Sequence, residues 1–193
     1  MTGKRPTGRR AGDSGTREAI LDAALLLFAE HGFDGASMRA IAAEAEVDPA
    51  LIRHYFGPKE RLLAVLITER SDFPATLGDI LNGDPQQAGR RITDAYLRLW
   101  DDPTMGRILL TLVRSATTSE QAAQMLREVL LARAGEVVAG TPVDVTRISL
   151  AAAQMFGIAI ARHVVRLPAL TTLDHDALVD LVAPTVQRYL DGE

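Results

Sequence analysis

Cysteine is absent from the 193 residues, which excludes disulfides, thiolate nucleophiles and cysteine-held zinc or iron–sulfur centres. Long apolar runs are missing as well. The longest, Ala23 to Ala29, is bounded by Asp22 and Glu30 and falls far short of the roughly 18 residues that span a bilayer, so no membrane partner is expected. Lys4 and Arg5 are followed by glycine and further charge instead of an apolar signal segment, which predicts a cytoplasmic protein. Alternating β-type segments are lacking, and no Asn-Gly or Asp-Gly joins two apolar runs, which predicts an all-α fold. Gly-x-Ser-x-Gly, His-Glu-x-x-His, the phosphate-cradling Gly-x-x-x-x-Gly-Lys and the dinucleotide glycine fingerprint are all missing. His31, His54, His163 and His175 have no ligand spacing, and Asp174-His175-Asp176 reads as a helix start. The expectation is a protein that is not an enzyme and has no metal site or cofactor.

What is present is ordinary globular material: 47% apolar and 24% charged residues, enough to build a core. The net charge of −4 is unevenly spread. Residues 1–17 carry +4, residues 18–72 carry −5 and residues 73–193 carry −3. The positive block holds Lys4, Arg5, Arg9, Arg10 and Arg17 among Pro6, Gly3, Gly8, Gly12 and Gly15. That composition does not pack, and residues 1–15 are expected to form a disordered basic arm of the kind that orders against phosphates.

Beyond the arm the periodicity is helical. Ile20, Ala23, Ala24, Leu27 and Phe28 form an apolar stripe that predicts a helix over 16–31, stopped by Gly32. Asp48-Pro49, Gly57-Pro58, Asp84-Pro85, Asp102-Pro103 and Thr141-Pro142 each set a capping residue before a proline at the first helical position. The predicted helices are 16–31, 38–45, 49–55, 58–72, 75–82, 85–101, 103–116, 119–139, 142–167 and 174–190. Pro184 is expected to kink or split the last.

The informative stretch is Gly32 to Arg61. Ser37 can cap a short helix whose Ile41 and Ala42 face inward, a sharp turn follows at Ala45, Glu46 and Val47, and Asp48-Pro49 opens a second helix. On that helix Ile52 and Phe56 face the core with Val47, which leaves Pro49, Ala50, Arg53 and His54 outward. This is the pattern of a helix-turn-helix, whose second helix enters a DNA major groove.

The ordered set of the long first helix, Gly32-Phe33, Ile41-Ala42, Val47, Tyr55-Phe56, Lys59-Glu60 and Leu62-Leu63 resembles the N-terminal domain of the tetracycline-repressor (TetR) family of bacterial regulators. The resemblance covers about Thr16 to Leu66. It implies a DNA-binding domain over 16–60, with three helices and the helix-turn-helix, and a helical effector-binding and dimerisation domain over 61–193. It implies phosphate contacts from Ser37, Tyr55 and Lys59, a base-edge contact from Arg39, and a readout surface of Pro49, Ala50, Arg53 and His54. The sequence departs from the family pattern at Glu46 and Ala50, where glycine is common, and at Arg53, where tyrosine often stands.

Helices 142–167 and 174–190 are, by the same resemblance, those that pair with their two-fold mates in a homodimer. Candidate effector contacts, which mix apolar bulk with isolated polarity, are Tyr96, Trp100, Leu112, Arg114, Met125, Gln154, Met155 and His163. The function so implied is a homodimeric repressor of a palindromic double-stranded DNA operator, released by a small, mainly apolar ligand. The alternative is a helical ligand- or protein-binding dimer with a vestigial DNA-binding head.

Overall fold

The computed structural model describes residues 11–71, 80, 83–117, 120, 123–124, 126–127 and 144–191, with side chains from Ser14 onward. Among them every regular element is helical, and no described helix is long and apolar enough to cross a membrane. The chain divides into two compact units between Leu66 and Ile67. That point lies inside the fourth helix, six residues beyond the boundary read from the sequence. Leu62, Leu63 and Leu66, all fully buried, are thereby grouped with the first unit.

The first unit contains α1 (Ala11–Gly35), α2 (Met38–Glu44), α3 (Pro49–Phe56) and the start of α4 (Lys59–Arg70). Residues 11–15, within the span expected as an arm, are helical and belong to α1. Residues 1–10, with Lys4, Arg5, Arg9 and Arg10, lie outside the described residues. The apolar stripe of α1 is buried as its spacing predicts, from Ile20 to Phe28. Gly32, at φ 70°, breaks the helical geometry within α1, a conformation that costs glycine little. Ile41, Ala42, Ile52 and Phe56 complete this core.

The second unit is built on α5 (Ala88–Asp101), α6 (Met105–Ala116), α7 (Val145–Ala159), α8 (Pro168–Thr171) and α9 (His175–Asp191). A 3₁₀ turn, Pro85–Gln87, precedes α5 where a helix starting at residue 85 was expected. Ile92, Leu97, Ile148, Met155, Leu178, Val182 and Val186 lie in one hydrophobic cluster shared by α5, α7 and α9. The predicted helix 142–167 does not run as one piece. It begins at Val145, where the Asp144 side chain accepts a hydrogen bond from Thr146 N–H. It ends in a π-helical turn, Ile160–Val164, after which Arg166 takes φ 59°. The sequence pattern did not distinguish that turn, or the short α8, from a continuous helix. Pro184, expected to kink or split the last helix, is exposed and α9 continues through it. The predicted helix 75–82 and most of 119–139 lie outside the described residues.

α5 and α9 meet through a glycine. A Cβ on Gly89 would fall 2.6–2.8 Å from Gln187 N, Cα and Cβ. Gly89 N–H donates to Gln187 Oε1 at 2.7 Å, and Gln187 Nε2 donates to Pro85 O at 2.9 Å. The side chain thus ties the entry of α5 to the last turns of α9.

Candidate nucleic-acid interface

The helix-turn-helix is fixed by local hydrogen bonds. Ser37 Oγ accepts from Ala40 N–H at 3.0 Å and caps α2, and Asp48 Oδ1 accepts from Ala50 N–H at 2.7 Å and caps α3, each satisfying one donor that a helix start leaves free. Between them the chain closes α2 by a Schellman arrangement. Val47 N–H donates to Ala42 O at 2.9 Å and Glu46 N–H to Ala43 O at 3.2 Å, the pairing that needs a left-handed residue at the first position past the helix. Glu46 fills that position at φ 54°. The turn therefore keeps its shape with a side chain present, and the strain falls on one residue. Gly57, at φ 78°, closes α3 and donates to Arg53 O at 2.9 Å.

With this frame set, Ser37, Arg39, Pro49, Ala50, Arg53 and His54 are all exposed, and the inward partners Ile52 and Phe56 are buried. Arg39 and Arg53 form no salt bridge among the described residues. Tyr55 is half-buried, its ring edge-on to His54 at 5.6 Å and tilted to Phe56 at 6.2 Å. Lys59 opens α4 with its Nζ 4.4 Å above the Phe33 ring, and Phe33 stacks on Phe28 at 6.1 Å. Burial pushes the Lys59 ammonium below the usual lysine range, while the nearby Asp34 and Glu60 push it back up. A cleft of about 430 Å³ is lined by Met38, Arg53, Gly57, Pro58, Lys59 and Glu60. An exposed guanidinium and a partly desolvated ammonium thus line one groove beside the recognition helix.

The candidate effector residues fare unevenly. Trp100 is buried, Tyr96 lies 6.4 Å from it ring to ring, and His163 stacks on it at 5.4 Å and 23°. Burial pushes the Tyr96 phenol well above its ordinary range, opposed by a hydrogen bond with Trp100. Met155 belongs to the hydrophobic cluster against which Tyr96 packs. Leu112 is fully buried on α6, Gln154 is half-buried, Arg114 is exposed, and Met125 lies outside the described residues.

Sequence reasoning missed a polar cluster in the same unit. His175 Nε2 lies 2.8 Å from Asp94 Oδ1 and its Nδ1 lies 3.2 Å from Asp101 Oδ2. Arg98 Nε donates to Asp94 Oδ2 at 2.9 Å, and Arg162 donates to the carbonyls of Leu170 and Leu173 at 2.6 and 3.0 Å. Burial raises the Asp94 carboxyl, but hydrogen bonds and charge from Arg98 and His175 leave it below the usual carboxylate range. Asp174 Oδ1 does cap α9, accepting from Ala177 N–H at 2.7 Å. Two of the four histidines that look scattered in sequence converge in space: His163 Nε2 lies 3.7 Å from Asp101 Oδ1, the carboxylate that also holds His175. Asp94 and Asp101, seven apart on α5, were the available signal.

The chain matches known proteins along most of its length. Residues 20–66 match the model described as bacterial regulatory proteins, tetR family, and residues 86–190 that of the tetracyclin repressor-like C-terminal domain. Among curated relatives, the transcriptional regulator BetI of Rhizobium meliloti is 47% identical over 51 residues, covering 26% of this chain and 25% of the relative. The transcriptional regulator UidR of Escherichia coli K12 is 41% identical over 54 residues, 28% of each chain. These alignments thus span about a quarter of the curated relatives' length. A crystal structure of a TetR-family regulator from Streptomyces coelicolor is 31% identical, covers 95% of this chain and 99% of its own, and superposes with a TM-score of 0.71.

Proposed function

The chain belongs to the TetR family of bacterial regulatory proteins, and from that premise we propose that it is a homodimeric, sequence-specific DNA-binding repressor. The observation that carries the reading is the capped helix-turn-helix with Arg39, Pro49, Ala50, Arg53 and His54 exposed around it. Arg39 and Arg53 supply guanidiniums of the kind that grip guanine O6 and N7. Ser37, Tyr55 and Lys59 contact phosphates and set register, and the free N–H groups at the start of α4 favour the same anion.

A dimer brings two recognition helices about 34–36 Å apart, the spacing of successive major grooves. Thr146, Leu150, Ala153 and Gly157 form an exposed stripe on α7 at helical spacing, and a Cβ on Gly157 would meet nothing within 4 Å. On α9, Leu181 is 67% exposed, with Pro184 and Arg188 exposed on the same face. Small side chains with isolated leucines favour close helix approach, which supports these faces as the dimer contact. A small, mainly apolar effector held around Tyr96, Trp100, Met155 and His163 would release DNA by favouring a dimer whose heads are mis-spaced.

Selection of bound sequences from a random duplex pool at two salt concentrations tests this reading. We expect enrichment of a palindrome, with affinity that falls steeply as salt rises. Sequence-blind binding or none at either salt concentration would overturn it in favour of a vestigial head.

A further inference from the structure

The fold gathers a ligand set that the sequence spacing hides. One ligating atom each from Asp94 on α5 and from His175 and Asp176 at the start of α9 lie within 4.8 Å of one another. We propose that Asp94, His175 and Asp176 form a site for a first-row divalent cation of the zinc type, with water completing the shell.

The geometry is that of a histidine oriented for a metal. Asp101 Oδ2 holds His175 Nδ1 at 3.2 Å, which turns Nε2 toward Asp94 Oδ1 at 2.8 Å. A carboxylate that accepts the far N–H of a ligating imidazole fixes its tautomer and raises its basicity. The other oxygen of Asp94 is occupied by Arg98 at 2.9 Å, so Oδ1, hydrogen-bonded to His175 Nε2, is the oxygen the cation would take, in place of the proton between them. Around an ion with bonds near 2.1 Å, tetrahedral donors sit about 3.4 Å apart. The three ligating atoms lie within 4.8 Å of one another, and Asp176 is exposed, with room for its carboxylate to turn toward the other two.

Charge and burial point the same way. Asp94, Asp101 and Asp176 all interact with Arg98, Arg162 Nε lies 3.9 Å from Asp101 Oδ1, and Arg90, which also faces Asp94 and Asp176, is paired to Asp180, so four carboxylates meet three guanidiniums and a divalent ion would offset the surplus. His163 Nε2 is buried, makes no hydrogen bond and points to Asp101 from the other side. Unsatisfied buried polar atoms are rare in folded proteins, and an ion or ordered water nearby is a common reason for them. The nitrogen donor favours Zn²⁺ and its neighbours over Mg²⁺ or Ca²⁺, which prefer all-oxygen shells. Bound there, the ion would pin the start of α9 to α5, and the inference does not depend on the DNA-binding reading.

The test is calorimetric titration of Zn²⁺ into the full chain freed of metal by a chelator, with Mg²⁺ as a second titrant. The expected result is one saturable Zn²⁺ site per chain that Mg²⁺ does not fill. Asp176→Asn and His175→Gln should each weaken it at least tenfold, Asp101→Asn should weaken it about 10–100-fold, and His54→Gln should leave it unchanged. Circular dichroism establishes that each variant is folded. If His175→Gln does not fold, Asp176→Asn decides, because that side chain is exposed. Absence of a saturable site, or a site that survives Asp176→Asn in the folded protein, would overturn the proposal. So would loss of binding in His54→Gln.

Discussion

The two units use the same residue types to opposite ends. In the first, Arg39, Arg53 and His54 stand exposed on a frame held by backbone caps and a small core. In the second, arginine and histidine are tied to partners of the same unit: Arg90 to Asp180 and Arg98 to Asp94 at the surface, and His175 to Asp94 and Asp101 and Arg162 to two carbonyls between helices. Charge left without an internal partner costs little at an exposed site and stays available to phosphates and bases. Charge placed between packed helices has to be satisfied there. Changes to the exposed basic side chains of the head should therefore alter binding and spare stability, and changes where the helices of the body pack should do the reverse.

The sharpest way to break that contrast is in the body. Gly89→Ala places a Cβ against the backbone of Gln187, and neither helix can yield without losing the hydrogen bonds of Gln187. We expect a loss of about 1–3 kcal/mol, toward the upper end because the opposing atoms are main chain. Urea denaturation measures it. A variant as stable as the parent would mean that α5 and α9 are not packed as described.

In the head, Arg53→Ala should cost about 1–3 kcal/mol of operator affinity and relax specificity at the position it reads. Stability should move by no more than about 0.5 kcal/mol, because the side chain is exposed. Parallel DNA titrations and thermal melts separate the two. A fall in melting temperature without a fall in affinity would reverse the comparison.

Much of this division was legible in the sequence. The stripe from Ile20 to Phe28, the inward pair Ile52 and Phe56, and the capping roles of Ser37 and Asp48 follow from periodicity and from residues next to helix starts. Those signals are local, and the head is built from local signals. The body's determinants are not: His175 finds Asp94 across 81 residues, and Gly89 is defined by a close approach to Gln187 on another helix. The π-helical turn at Ile160 was illegible for a different reason, since its residues continue the apolar pattern of α7 and only the hydrogen bonding changes.

Two substitutions in the turn should act on stability with opposite sign. Asp48→Ala removes the cap of α3 and should cost about 1 kcal/mol. Glu46→Gly should stabilise by roughly 0.5 kcal/mol, because the left-handed penalty of a residue with Cβ exceeds the added unfolded-state freedom of glycine. Both are read by denaturation. If Glu46→Gly destabilises, the side chain makes a contribution that the backbone geometry does not explain.

The smallest effect concerns His163. Burial pushes its pKa below the ordinary value, Asp101 pulls it up and Arg162 pushes it down again. Between that lowered value and about 6.5, the value expected when unfolded, the unfolded chain binds more protons than the folded one, so stability rises with pH. Acidification through this window removes stability, and below the folded value the whole contribution is gone. His163→Phe keeps a ring against Trp100 and abolishes the titration. The melting temperature should drop less between about pH 7.5 and pH 5.5 in the variant than in the parent. Every other titratable group is the same in both proteins, so the difference between them isolates His163. Equal drops would mean that its ring is as well solvated in the folded chain as in the unfolded one, and the body would then share the head's habit of leaving charge to solvent.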